Sequence, residues 1–184
     1  MLRWNNPLRP ETHGECFVWT RNGKVRVIAS LFSYPHGNRR RVSHEFNALG
    51  DQAIVAKRDG RVFWRVPADK LLKMKPVPDS PSVAGSPALR MAQMRNISRR
   101  FTAKSGGTHG EALRELRLLT SPLHRYDQGD GREVDGAIFS FAMGTEPEIL
   151  LLLESAGEGS KTEWRYVTAR QTYTSLQVFY EGDE

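Results

Sequence analysis

Five histidines, at positions 13, 36, 44, 109 and 124, one cysteine and two groups of arginines are the side chains with the plainest chemistry in this 184-residue chain. His36, His44 and Glu45 form the one local grouping of a kind that binds a metal ion or moves a proton, two imidazoles that change charge near neutral pH beside a carboxylate. Bringing them together requires the segment before His44 to fold back on its strand. Neighbouring residues of a strand point to opposite faces, so His44 and Glu45 reach one ion only across a bulge. No metal, cofactor or catalytic set is therefore expected. The enzymatic alternative is a hydrolase using His36 or His44 as base. Gly-x-Ser-x-Gly, His-Glu-x-x-His, Walker and Gly-x-Gly-x-x-Gly signatures are all absent. Lys104-Ser105-Gly106-Gly107 has phosphate-loop residue types in the wrong order and follows a helical pattern instead of preceding one, so it reads as a flexible connection. Cys16 is alone, which excludes an intrachain disulfide and a cysteine-based zinc site, and its apolar surroundings make it a buried thiol.

Charge says more. Residues 1–104 hold 20 Lys and Arg against 7 Asp and Glu, whereas residues 105–184 hold 7 against 14, giving halves of +13 and −7 within a chain of +6. Arg39, Arg40 and Arg41 form a basic loop. A helical stretch carries Arg90, Arg95, Arg99 and Arg100 with no acid, and Arg95 and Arg99 are a like-charge pair at helical spacing. Arg39, Arg40, Arg41, Arg95, Arg99 and Arg100 are the candidate anion-binding set, for nucleic acid or another acidic ligand. The competing expectation, favoured because the opposite charge is already in the same chain, is that the acidic half neutralises Arg95, Arg99 and Arg100.

The elements that must position these side chains are mostly strands. Asn22-Gly23 supplies the two positive-φ residues of a type I′ turn between β-rich arms, and predicts a hairpin pairing Val18 with Val27, Thr20 with Val25, Phe17 with Ile28 and Trp19 with Arg26. Both faces of that ribbon are apolar enough to predict that both are covered. Asp59-Gly60 repeats the grammar, with Val55 opposite Trp64. The two hairpins share Val-x-x-Arg-[Asn/Asp]-Gly-[Lys/Arg]-Val at an offset of 37 residues, which reads either as a duplication or, preferably, as common turn chemistry. Tyr34-Pro35-His36-Gly37-Asn38 reads as a loop and Val42 to Leu49 as a further strand.

Residues 76–86 are rich in Pro and Ser and predict an extended linker. Ser86-Pro87 then caps a helix over 87–102, with Met91, Met94, Ile97 and Phe101 on one face. A Gly-rich break at 105–110 precedes strand-like runs at Leu113 to Thr120, Ala137 to Met143, Glu148 to Ser155, Glu163 to Arg170 and Leu176 to Tyr180. Thr145-Glu146-Pro147-Glu148 has capping-box spacing, but the short apolar run after it, ended by Ala156-Gly157-Glu158-Gly159, favours a strand. That run, Ile149 to Leu153, is far shorter than the ~20 residues of a membrane helix. Residues 1–7 lack the apolar stretch of a signal peptide.

Several phrases resemble an uncharacterised bacterial family: Glu115-Leu116-Arg117-Leu118-Leu119 running to Pro122-Leu123-x-Arg125-Tyr126, and Asp135-Gly136-Ala137-x-Phe139 running to Gly144-Thr145-x-Pro147-Glu148-x-Leu150-Leu151-Leu152-Leu153-Glu154. Leu2-Arg3-Trp4-x-Asn6-Pro7 and Met91-x-x-Met94-Arg95 belong to the same resemblance, which covers most of the chain. It implies no activity, cofactor or catalytic residue. Members of that family often begin with an export leader, which keeps open whether Met1 is a native start and whether the protein is exported.

These readings together predict an α+β fold, two antiparallel β-meanders joined by the Pro-rich linker and one amphipathic helix packed on the sheet. The expected organisation is one integrated domain over 1–184, divisible into a meander at 1–75, a linker at 76–86 and the helix with a second meander at 87–184. The leading functional expectation is a non-enzymatic binding or interaction module whose partner is a protein or an acidic ligand, with nucleic-acid binding through the Arg loop and basic helix, and the hydrolase, as alternatives.

Overall fold

Asn22 and Gly23 adopt φ of 51° and 72°, and Asp59 and Gly60 adopt 49° and 76°, so each dipeptide makes the tight turn its chemistry dictates. The computed structural model describes residues 2–106, 112–127, 135–157 and 162–183. In it, the first turn joins β2 (His13–Arg21) to β3 (Lys24–His36). With β1 (Leu2–Asn5) and β4 (Arg39–Ala48) these strands form an antiparallel sheet in the order β1-β2-β3-β4. The second turn joins β5 (Ile54–Arg58) to β6 (Arg61–Val66), a separate two-stranded ribbon.

Both hairpins are one residue off the predicted register beyond the turn, for the same reason. Thr20 pairs with Val25 as expected, but Arg26 bulges, and Trp19 then faces Val27, Val18 faces Ile28 and Phe17 faces Ala29. In the second hairpin Phe63 bulges, so Trp64 faces Ala56 and Val55 faces Arg65. The bulge falls three residues after the turn glycine in each case, and a bulge so close to a turn tightens the local twist. The predicted loop at 34–38 is also corrected. β3 runs through Tyr34-Pro35-His36, and Gly37, at φ 58°, closes a two-residue turn. Arg39, Arg40 and Arg41 therefore stand on a strand.

Further along, a 3-10 turn (Ala68–Lys70) leads to β7 (Lys75–Pro76), then α1 (Pro87–Ser98), β8 (Phe101–Gly106), β9 (Arg114–Glu115), β10 (Arg117–Asp127), β11 (Asp135–Met143), β12 (Glu146–Ala156), β13 (Glu163–Arg170) and β14 (Ser175–Tyr180). β10-β11-β12-β13-β7 form one sheet and β14-β8-β9 another. Alternate residues of the five-stranded sheet enter two different cores. Phe139, Phe141, Ile149, Leu151, Leu153 and Trp164 pack with Met91, Met94 and Ile97 of α1 and with Phe101 and Ala103 of β8. Ile138, Leu150, Leu152, Val167 and Ala169 pack instead with Val25 and Ile28 of β3. Ile149 to Leu153 are each at most 1% exposed because both faces of their strand are covered, which is why they read as a continuous apolar run instead of an alternating one.

The α+β class is overturned. Strands take 63% of the described residues and helices 9%, in four sheets with one α-helix, so the architecture is all-β. The predicted amphipathic helix is only 12 residues long, and its sides do not sort cleanly by polarity, for Leu89 is 59% exposed while Ser98 is buried. Ser86 caps it, accepting from the Leu89 amide at 3.3 Å, but it stops at Ser98. Phe101 opens a strand paired with β14, its ring 4.9 Å from Tyr166 and 4.8 Å from Tyr180, so tertiary packing takes residues whose spacing suits a helix. The Pro-rich segment is pinned instead of spanning free. Val77 is buried and donates to the Trp164 carbonyl at 2.9 Å, Gln93 holds Ser82 and Ala84, and Arg90 holds Ala84 and Gly85. The predicted strands at 137–143, 148–155, 163–170 and 176–180 are present, including the strand preferred over a helix after Thr145. Met1, Gly107 to Gly110 of the Gly-rich break, and Glu158-Gly159 lie outside the described residues. No helix here is long and apolar enough to cross a membrane.

Candidate functional site

The outer face of the β1–β4 sheet, turned away from the central sheet, is where exposed side chains with binding chemistry gather. The register places Phe17, Ala29 and Phe46 in one row across β2, β3 and β4, and Glu15, Leu31 and His44 in the next. Ala29 is fully buried and small enough to be a floor beneath its larger neighbours. Ring centroids run Phe17 to Trp19 at 6.0 Å, Trp19 to Phe46 at 6.4 Å, and Phe46 to His44 at 5.1 Å. The β5–β6 ribbon adds Phe63 and Trp64, 6.1 and 5.0 Å from Phe46. These separations are those of favourable aromatic pairs. The ribbon covers only the Phe46 end, so the expectation that both faces are covered is corrected: Trp19 is 47% and Phe63 50% exposed.

Exposed cations stand on the hairpins that carry this row. Arg21 and Lys24 face each other at the end of the β2–β3 hairpin, and Lys57, Arg58, Arg61 and Arg65 stand exposed on the ribbon. Glu15 is held by Arg3 at 2.7 Å, and Asp59 lies 3.9 Å from Arg58.

The six sequence-predicted arginines fall in two distant places. Arg40 is tied down, donating to Ser33 Oγ at 3.0 Å and to the Glu11 carbonyl at 2.5 Å, while Arg39 and Arg41, opposite His36 and Tyr34, are exposed on the other side of the same hairpin. On α1, Arg95 is exposed, and just beyond it Arg99 donates to Asn96 at 3.0 Å. Arg100 meets Glu181 at 2.7 Å and stacks 4.7 Å over Tyr180. The neutralisation expected of all three helix-end arginines thus has an ion pair only at Arg100 among the described residues. Arg90, outside the predicted set, shares Asp135 with Arg125 at 2.8 and 2.7 Å. Burial opposes ionisation of Asp135, but its hydrogen bonds from Arg125 and Arg90 outweigh that and hold its carboxyl below the ordinary range.

The histidine grouping is not assembled. His36 sits at the tip of the β3–β4 hairpin opposite Arg39, while His44 lies back along β4 opposite Leu31 and against the Phe46 ring. Glu45 points to the other face. No cluster of three potential metal-ligating groups occurs among the described residues. His13 is exposed, His124 stacks 6.1 Å from Tyr126, and His109 lies outside the described residues. A cleft of about 820 Å³ between the 69–75 segment, β13 and β14 has walls of Leu71, Leu72, Phe101, Tyr166, Val178 and Tyr180, with no histidine among its described lining.

Glu45 belongs to a buried polar cluster that sequence reasoning missed. Glu146, from the start of β12, accepts from Asn6 at 2.5 Å and Arg9 at 2.8 Å, and Arg9 also reaches Glu148 at 3.0 Å. Glu148 is fully buried, near Ser105, whose hydroxyl bonds Thr174 at 2.7 Å. Burial, then the charges of Glu146 and Glu148, raise the Glu45 carboxyl to about 7, against smaller opposing effects of Arg170 and Arg9. Burial also pushes Glu148 upward. Residues 140 positions apart meet here, and only the acids preceding the β12 apolar run gave any local signal. Cys16 is free and buried, its thiol raised to about 11 chiefly by burial.

No protein-family model, no curated protein and no solved structure matches the chain. The reading of function therefore rests on this geometry.

Proposed function

We propose that this protein is a non-enzymatic binding module that takes its ligand on the outer face of the β1–β4 sheet. The observation that carries the reading is the continuous row of rings from Phe17 through Trp19 and Phe46 to Phe63, half-open to water on a sheet whose opposite face already serves the core. Large apolar groups left in solvent on a rigid sheet cost stability without structural return, and a contiguous patch of them is characteristic of contact surfaces. The sheet and its two bulged hairpins hold the rings in place before a ligand arrives, which lowers the ordering cost of binding.

Of the four tryptophans, Trp4 and Trp164 are buried and Trp64 is half-buried against Phe46, so Trp19 is the most exposed indole and ligand contact should alter the emission. The test is a fluorescence titration with an oligothymidylate, a sulfated glycan, a neutral glucan and peptides of either charge. The reading expects at least one probe to shift the emission, and Trp19→Ala and Phe63→Ala to weaken that binding while the protein stays folded, losing about 1–2 kcal/mol for the aromatic pairs removed. A face that no probe touches, or binding unaffected by both substitutions, would overturn it.

A further inference from the structure

We infer that the ligand of this aromatic face is a single-stranded nucleic acid; the inference rests on the binding-face reading above and adds the ligand's chemistry. Single strands are held by two features acting together, cations that follow the phosphates and rings on which unpaired bases stack. Both are present on one surface here. Trp19 and Phe63 are about half exposed, and Arg21, Lys24, Lys57, Arg58, Arg61 and Arg65 are exposed on the two hairpins that carry them. Among the described residues, the second-half acids that form ion pairs meet Arg9, Arg90, Arg100, Arg125 and Arg165, and Glu154 acts on Lys24. Glu11, Glu15, Asp51 and Asp59 of the first half lie against Arg40, Arg3, Arg26 and Arg58, which leaves Arg21 and Arg61 without an ion pair among the described residues.

Three further points narrow the class. A neutral glycan would use the rings but gives no reason for the exposed cations. Four of those six cations are arginines, whose planar guanidinium bonds phosphate in pairs and also stacks on bases, which a lysine does not do. A duplex hides its base faces inside its own stack, and the basic helix that might have entered a groove packs on the far side of the central sheet from this surface. β3 spans 13 residues from Lys24 to His36, roughly 40 Å at the rise of a strand, enough for several successive nucleotides.

The experiment follows a labelled oligothymidylate of about 12 nucleotides, a length one small β module covers, by anisotropy and by Trp emission with the full chain. With about four phosphates neutralised, affinity should fall about fiftyfold between 50 and 200 mM salt. Arg21→Ala combined with Arg61→Ala removes about two of those contacts and should reduce the salt effect to about sevenfold. Trp19→Ala should weaken binding roughly tenfold at every salt concentration and leave the slope unchanged. Arg95→Ala with Arg99→Ala, at the end of α1, should alter neither. If the arginine pair perturbs folding, Arg21→Lys with Arg61→Lys, which keeps the charge, should restore most of the slope. The inference is overturned if the oligonucleotide does not bind at 50 mM salt, or if the slope ignores Arg21 and Arg61. Where a glycan or peptide shifts Trp19 emission and the oligonucleotide does not, this inference fails while the binding-face reading stands; where no probe shifts it, both fail.

Discussion

Replacing Glu45 by glutamine should stabilise the protein at alkaline pH and have little effect in acid. Glu45 faces inward from β4 toward Glu146 and Glu148 of β12, Arg170 of β13 and Arg9 of the N-terminal loop, and burial first, then the carboxylates, outweigh the two guanidinium groups in their effect on it. Its carboxyl titrates at about 7 in the folded protein against 4.5 ordinarily. The folded state therefore holds a proton that the unfolded chain has released across this window. The linked stability is complete below pH 4.5 and is lost as pH rises through 7. At 1.36 kcal/mol for each pH unit the full loss is about 3 kcal/mol, and the partial solvent exposure of Glu45 makes that an upper figure. Glu148, also shifted upward by burial, titrates as part of the same cluster, so the proton belongs to the group of carboxylates more than to one of them. Chemical unfolding from pH 4.5 to 8.5 should show the parent and Glu45→Gln curves diverging, with the variant ahead by about 1–3 kcal/mol at the upper end. For a chain of this size that is a gain of several degrees in Tm, ~2–4 °C per kcal/mol. Parallel curves, or a variant that loses ground as pH rises, would refute the reasoning.

Gly23→Val places a β-branched residue at φ 72° and should cost more than ~1 kcal/mol, seen as a lowered midpoint in thermal unfolding. Asp135→Asn removes the anion that Arg90 and Arg125 share in a site where Asp135 is only 3% exposed, so a loss of about 3–5 kcal/mol is expected in urea unfolding. Asp135 has a depressed carboxyl, so its contribution is present above its unfolded value and lost as pH falls. The parent should therefore lose its advantage over the asparagine variant in acid.

How much of this was legible in the sequence differed by scale. The turns were, because Asn-Gly and Asp-Gly meet a local steric demand that no distant residue alters. The long strand at 163–170 and the apolar run at 149–153 were also legible, although a run buried on both faces does not announce which partners cover it. The bulges at Arg26 and Phe63 were not, since neither residue type demands one. Nor was the early end of α1, because Met91, Met94, Ile97 and Phe101 keep helical spacing and only the pairing of Phe101 with Tyr180 shows that the last of them belongs to a sheet. The candidate site was half visible. Its rings and basic hairpin tips stood out as residue types, but that Trp19 and Phe63 share one open face depends on how the β5–β6 ribbon lies on Phe46. The three arginines at 39–41 read as a loop but stand on a strand, whose alternation sends neighbours to opposite sides.

The order of the layers bears on how the chain is made. The first sheet is complete by residue 48, yet Ile28, beneath it, finds its packing partners at Ile138, Leu150, Leu152 and Val167. A ribosome delivers the earlier residues about 90 to 140 positions before those partners, which at ~5–20 residues per second leaves an apolar sheet face uncovered for several seconds or more. During that interval the side that will join the core is bare, and the ring-bearing side is covered only where the β5–β6 ribbon, complete by residue 66, lies on Phe46. The nascent chain is thus stickiest before its middle layer has been synthesised, and slower elongation through the second half would prolong that exposure.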